Sequence, residues 1–365
     1  MIKTHFQKGL KYLFFVITKG RVLNAFEYAN FYSLLPKIMG FKQKVSPNYY
    51  LRLLYEYAKY NYYSNNKSHL YIMKCVPRTL FTYYLGHITR HFLEGGYVIN
   101  KLEFYKLCNR YNISVPYTYC YRNSNGFNNI SDKPIIIENL EDKNYFVKPY
   151  NSSGGKDAKI VNKNQLNNIK EGMIVQELLS NGGSIKDIAG SSSSFNTIRI
   201  HTYKSYKTGE VFILAAHLKI GLSDKISDNI GGGAIGVPVD IKTGKLFKYG
   251  FSEKPEHTIE GINNERKFEG KIISEWDEII HIIKQAANII GSRFIGWDVG
   301  ISEKGVVIVE ANSGSDYFIP QAFYKPFLDT ELIRENIINA NDHLWAKKYE
   351  KKIKKKYYKY YSLIS

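Results

Sequence analysis

The stretch that decides the fold is FIGWDVGISEKGVVIVEAN, residues 294–312. Two apolar runs, 294–301 and 306–312, flank the turn EKG, which predicts an antiparallel hairpin. Each run carries groups foreign to an apolar strand: Asp298 in the first, Glu310 and Asn312 in the second. Side chains alternate along a strand, so Glu310 and Asn312 share a face. The short turn lets Asp298 lie opposite them. Buried carboxylates need compensation. Two carboxylates and a carboxamide converging on one spot suit a hard cation such as Mg²⁺. A half-exposed hairpin with its polar groups in water is the other reading. Zinc is not expected, because Cys75, Cys108 and Cys120 are scattered and no histidine pair has ligand spacing.

Before the hairpin, SEWDEIIHIIKQAANII (274–290) is the clearest helix. Ile279, Ile283, Ala286, Ala287 and Ile290 fall on one face, Ser274 is a candidate cap, and Gly291 stops the helix. Further upstream lies DNIGGGAIGVPVD (228–240). Gly231–Gly233 are too permissive for an ordinary strand and suggest close approach of backbone and ligand. Asp228, Asn229 and Gly232 are therefore candidates for substrate binding, a surface loop being the alternative.

Two strands before that loop each hold one cation, Arg199 in NTIRI and Lys219 in HLKIG. An unpaired cation is costly to bury, so each faces water or an anion. MIVQELLSNGG (173–183) reads as a strand ending at Gln176 and Glu177, an extended edge suited to a purine. FVKPYNSSGGKDAKIV (146–161) places Lys148 on a strand before a loop of Ser152, Ser153, Gly154, Gly155 and Lys156. Such a loop can form an anion-binding nest, although Gly/Ser turns also serve plain hairpins. The Walker pattern is absent. NKLEFYKLCNRYN, from residue 100, reads as a helix with Asn100 as cap and Glu103 three residues on. ISVP (113–116) then reads as a strand.

The charge is not spread evenly. The 365 residues carry a formal net charge of +18. Residues 1–100 hold 14 Lys+Arg against 3 Asp+Glu, and 347–359 hold 8 Lys against 1 Glu. The stretch 101–346 is balanced at 29 of each sign. A nucleic-acid groove would carry charge throughout, so nucleic acid is not the expected partner. Basic flanks interleaved with aromatics suit an anionic membrane surface. The apolar run Leu13–Ile17 is far short of the ~20 residues that span a bilayer, and no cleavage pattern follows it. A cytoplasmic protein is expected, either soluble or attached peripherally to the inner face of the membrane. Residues 53–63, LLYEYAKYNYY, read as part of a helical N-terminal region.

The order of the pieces is lysine strand with glycine loop, Gln-Glu strand end, arginine strand, lysine strand, glycine loop, helix, then D…E-x-N. This order resembles the ATP-grasp superfamily from about Asn100 to Gln321. NTIRI, DNIGGGAIGVPVDIKTGKL, FIGWDVGI and VVIVEAN are most similar to the sugar-transfer associated ATP-grasp family, linked to cell-surface polysaccharide assembly.

The resemblance implies an α+β fold, two subdomains clasping ATP. The expected organisation is a basic helical region 1–98, a catalytic region 99–346 with its clasping part at 145–180, and a basic tail 347–365. Lys101 and Lys148 resemble the family's nucleotide lysines, and the loop from Ser152 to Lys156 would close over the phosphates. Gln176, Glu177 and Leu178 match the segment beside adenine. Arg199 and Lys219 match cations near the transferred phosphate. Asp298, Glu310 and Asn312 match the ligands of two Mg²⁺ ions, Glu310 bridging.

The implied reaction is ATP-dependent ligation of a carboxylate on a sugar or glycan to an amine or amino acid, through an acylphosphate. A phosphotransferase on a sugar or glycan precursor and a non-catalytic nucleotide or glycan module are the alternatives. The run NSGSDYF departs from relatives, many of which have a proline there. Asp187 is the candidate for a ribose-holding acid.

Overall fold

The computed structural model describes residues 22–38, 47–63, 68–77, 80, 100–151, 157–190, 194–205, 207–221, 228, 230, 233–252, 259–262, 266–312, 315 and 318–330. In chain order these form helices α1 (Val22–Ile38), α2 (Pro47–Tyr63), α3 (His69–Lys74) and α4 (Lys101–Arg110). Strands β1 (Thr118–Asn123), β2 (Gly126–Asn128), β3 (Asn144–Pro149), β4 (Lys159–Asn162) and β5 (Met173–Gln176) follow. Then come α5 (Gly183–Ala189), β6 (Thr197–Lys204), β7 (Val211–Ile220), β8 (Ile235–Pro238), β9 (Gly261–Ile262) and β10 (Arg266–Lys267). The described chain closes with α6 (Trp276–Ile289), β11 (Phe294–Ser302), β12 (Gly305–Asn312) and α7 (Phe318–Phe323). The phosphate loop 152–156, Asn229, Gly232 and the tail 347–365 lie outside the described residues.

The chain divides into two compact units. One comprises residues 1–89, 203–214 and 316–365. Within it, buried tyrosines do the work of caps. Tyr28, Tyr32 and Tyr60 donate to the carbonyls of Cys75, Met73 and Val76, at 2.7, 2.8 and 3.1 Å. These carbonyls lie at and beyond the end of α3, where helix carbonyls lack partners. Gln321, fully buried, donates to Tyr60 Oη at 2.7 Å and accepts from Val76 N at 2.7 Å. A buried phenol needs such a partner, so this region's tyrosine content is matched by carbonyls waiting for donors.

The other unit comprises residues 90–202 and 215–315. It holds two five-stranded sheets, ordered β2-β1-β5-β3-β4 and β12-β11-β6-β7-β8. Behind the first sheet, Cys120, Tyr145, Val147, Val161, Leu166 and Val175 form a core. Behind the second, α6 packs on β11 and β12. Ile279, Ile283, Ala286, Ala287 and Ile290 are all buried, as their spacing predicts. Trp297 is fully buried, and its indole N–H donates to Thr202 Oγ1 at 2.8 Å. Burying such side chains contributes about 1.5–3 kcal/mol each.

Two local expectations are corrected. Ser274 does not cap α6. Glu275 holds the N-cap position without a side-chain bond to the helix, because its carboxylate accepts from Ser184 N at 3.2 Å and from Ser184 Oγ instead. ISVP is not a strand. The ladder starts only at Thr118, past Pro116, which has no N–H to give. By contrast Asn100 caps α4 as expected, accepting from Leu102 N at 3.0 Å and Glu103 N at 3.3 Å.

Candidate active site

The hairpin β11–β12 is built around one extra residue. Near the turn, Ser302 pairs with Gly305 and Val299 with Ile308. Beyond it, Asp298 pairs with Glu310 and Gly296 with Asn312. The register jumps between these blocks, leaving Val309 as a β-bulge. Had the turn's register continued, Asp298 would face Val309, and Glu310 would fall on the opposite face. The bulge puts the two carboxylates side by side.

Asp298 is buried in a cage of cations. Arg199 grips it with a fork, Nε on Oδ1 at 2.8 Å and Nη2 on Oδ2 at 2.9 Å. Lys219 Nζ adds a contact to Oδ1 at 3.0 Å. Burial pushes the Asp298 carboxyl up, but Arg199 and Lys219 outweigh it and hold the group well below its usual range. Lys219 in turn lies 3.2 Å from Asp228 Oδ1. Burial pushes its ammonium down, while Asp228 and Asp298 hold it net above its ordinary value. Asp228 Oδ2 accepts from Thr197 N at 2.8 Å and from the Thr197 hydroxyl. The carboxylate named as a substrate candidate is thus engaged as the counter-ion of Lys219.

Behind the fork is a second layer. Arg199 Nη1 donates to Ser315 Oγ at 2.9 Å, and Ser315 Oγ lies 2.9 Å from His201 Nε2. Gly296 makes room for this. A Cβ there would stand 2.0 Å from Ser315 Oγ and 3.3 Å from Arg199 Cδ. His201 and His217 stack at 6.1 Å. Burial, His201 and the nearby cations push His217 well below its ordinary value, so it is neutral.

The lysines come from the other side of the unit. Lys101 reaches Glu310 Oε1 at 3.2 Å. Lys148, buried, donates to Tyr105 Oη at 2.8 Å. Burial pushes Lys148 down to about 8, with Glu310 and Asp298 opposing the shift and Lys101 adding to it. Among the described residues no carboxylate forms an ion pair with Lys148. Phe146 pairs with Ile160 on one side and Gln176 on the other, so an apolar row and Lys148, two residues on from Phe146, share a sheet face. Gln176 is buried and donates to Thr118 Oγ1 at 2.9 Å. The Glu177 carboxylate accepts from Tyr117 N at 2.9 Å and meets Lys304, and its backbone N–H donates to Tyr117 O at 2.9 Å, which leaves the backbone carbonyl for a ligand. Leu178 is exposed. Asp187 is an exposed residue of α5.

The site's donors fit a hard cation. Asp298, Glu310 and Asn312 supply oxygens on paired positions of two strands. A carboxylate offers about four lone-pair sites; at Asp298 both oxygens already take donors, Oδ1 from Arg199 Nε and Lys219 Nζ, and Oδ2 from Arg199 Nη2 at 2.9 Å and Asn312 Nδ2 at 3.5 Å, which leaves Glu310 as the open carboxylate. The Glu310 side chain is 24% exposed, open to a ligand. Among the described residues no group of three His, Cys, Asp or Glu side chains is placed to hold a metal ion, here or elsewhere. None of their helices is long and apolar enough to cross a membrane.

Sequence reasoning missed Tyr105 and Ser315. Tyr105 lies four residues after Lys101, one helical turn along the same face, a signal that was legible. Ser315 sits in NSGSDYF, and nothing in the sequence announces its contact with Arg199.

No curated protein matches the sequence. Among solved structures, an L-amino acid ligase from Bacillus licheniformis aligns at 10% identity and TM-score 0.34, over 60% of this chain and 41% of that one. The ATP-grasp ligase PsnB, complexed with a minimal precursor, aligns at 16% identity and TM-score 0.31, over 63% and 55%. A D-alanine–D-alanine ligase from Bacillus anthracis aligns at 12% identity and TM-score 0.36, over 70% and 71%. The chain thus spans about half the length of the first two. Residues 165–334 match the model of the sugar-transfer associated ATP-grasp family. That match, with the motif order carried on these two sheets, makes residues 165–334 of the chain similar to the sugar-transfer associated ATP-grasp family.

Proposed function

We propose that the protein is an ATP- and Mg²⁺-dependent carboxylate–amine ligase. The observation that carries this reading is Lys148: a buried ammonium whose hydrogen-bond partner is a neutral phenol. A buried cation calls for an anion, and an apolar row on the same sheet face suits a nucleotide base beside its phosphates. Lys148 and Lys101 would bind those phosphates, with the 152–156 loop above them. Gln176, Glu177 and Leu178 would edge the adenine, Glu177 through its backbone.

Arg199 and Lys219 would sit beside the transferred phosphate, held in place by Asp298 and Asp228. Asp298, Glu310 and Asn312 would hold Mg²⁺, which when bound offsets phosphate charge; two ions with Glu310 between them is the finer version. The protein's task in such chemistry is positioning and charge neutralisation, which a lattice of paired charges on rigid strands supplies. His201 lies behind Ser315 with His217 stacked on it, and serves the fork's geometry. The acceptor in this reading is a carboxylate on a sugar or glycan precursor of the cell surface, joined to an amine or amino acid. Asp228, Asn229 and Gly232 border that pocket.

The test is product analysis. Purified protein with ATP and Mg²⁺ is screened against uronic acids and amino acids for ADP, phosphate and a new amide. A phosphorylated sugar without free phosphate would replace the ligase with a kinase. Glu310→Gln should cut turnover about a hundredfold or more while circular dichroism stays unchanged; full turnover would sink the site.

A further inference from the structure

Tyr105 is fully buried on α4, in the middle of the site. Its hydroxyl meets Val309 O at 2.6 Å and Lys148 Nζ at 2.8 Å, with the Gln176 side chain alongside. A phenol has one proton to give. A carbonyl can only accept, so that proton goes to Val309. Lys148 can only donate, so its N–H goes to the phenol oxygen. The direction of the chain is therefore fixed: ammonium to phenol to carbonyl.

The carbonyl is itself a product of the fold. Val309 is the bulged residue, outside the paired register, and a buried carbonyl left bare is costly. The next residue, Glu310, is met by Lys101, one turn before Tyr105 on the same helix. One helix thus ties both lysines to two consecutive residues of β12. We propose that Tyr105 is a positioning residue for Lys148, its hydroxyl braced on the bulge carbonyl so that the ammonium is held with two N–H groups left for phosphate oxygens. The proposal rests on the nucleotide reading above.

A purely structural tyrosine would fill space and cap Val309 without affecting Lys148. Calorimetric titration of the full chain with the ATP analogue AMP-PNP and Mg²⁺, from pH 7 to pH 9.5, separates the two roles. Tyr105→Phe should weaken binding about tenfold, the scale of a hydrogen bond to a charged group. It should also move the alkaline loss of affinity to lower pH, since the ammonium loses an acceptor. In a Lys148→Met background the same substitution should add nothing. Tyr105→Gln, which keeps a donor and an acceptor, should bind better than Tyr105→Phe although it packs worse, and it is the variant to titrate if Tyr105→Phe does not fold.

Wild-type affinity and pH profile in Tyr105→Phe would overturn the proposal, as would an equal penalty in the Lys148→Met background. Glutamine binding worse than phenylalanine would overturn it too. Absence of binding by the wild type, or full binding by Lys148→Met, would remove the nucleotide reading itself and this proposal with it.

Discussion

Asp298 and Glu310 face each other across β11 and β12, one residue out of the register that the Ser302–Gly305 turn imposes. Their charges are divided between different partners. Asp298 takes Arg199 and Lys219, and Glu310 takes Lys101. Two carboxylates this close would repel without those cations.

The first prediction concerns acid stability. Asp298 titrates well below its ordinary 3.8 in the folded chain because Arg199 and Lys219 outweigh its burial. Its contribution is therefore complete above that ordinary value and is lost as pH falls through the depressed one. Thermal melts of the wild type should drop below pH 4, and Asp298→Asn should flatten that drop. At pH 7 the same variant leaves buried cations short of a counter-ion and should cost about 3–5 kcal/mol. Parallel melting curves for the two proteins across pH 2–4 would refute the cage.

Gly296 is tied to Ser315 by space. Gly296→Ala places a methyl 2.0 Å from Ser315 Oγ, so Ser315 must move and the Arg199 Nη1 bond must go with it. Chemical denaturation should register a loss of about 1–3 kcal/mol, the scale of overpacking. A crystal structure of the variant with Ser315 unmoved would contradict this.

Lys148 sets the alkaline limit. Burial holds it down to about 8, so nucleotide affinity should fall as pH rises through that value. Lys148→Arg, whose guanidinium stays charged, should remove the alkaline fall. Without nucleotide the sign reverses. Between about 8 and the ordinary 10.5 the unfolded chain binds more protons, so the apoprotein should gain stability with rising pH. Affinity independent of pH between 7 and 9.5 in the wild type would exclude Lys148 as a phosphate ligand.

The basic tail is expected to act outside the reaction. Co-sedimentation with anionic vesicles should weaken when the chain is cut after residue 346, by about 1 kcal/mol per basic residue lost at the surface. Catalytic turnover should persist. Equal pelleting of both forms would take the tail out of membrane binding.

Much of the fold is legible in local pattern. The cap at Asn100, the buried face of α6 and the strands around Lys148, Arg199 and Lys219 follow from residue spacing and side-chain chemistry. Where the reading slipped, one cause was long-range, Glu275 drawn to Ser184, and one was local, the missing N–H of Pro116 delaying the ladder to Thr118.

The sequence alone determined that Glu310 and Asn312 share a strand face, because alternation is a property of the backbone. It also determined that the stretch 101–346 is charge-balanced while the flanks carry the surplus, because charge needs only counting. Only the tertiary structure decided that Asp298 stands opposite Glu310. The turn would have paired Asp298 with Val309; instead Val309 bulges, and Tyr105, 204 residues away in the chain, caps its carbonyl. Likewise Ser315 reaches Arg199 across 116 residues, through the gap left by Gly296. Such contacts depend on which surfaces the folded sheets bring within hydrogen-bonding distance, and no periodicity along the chain encodes them.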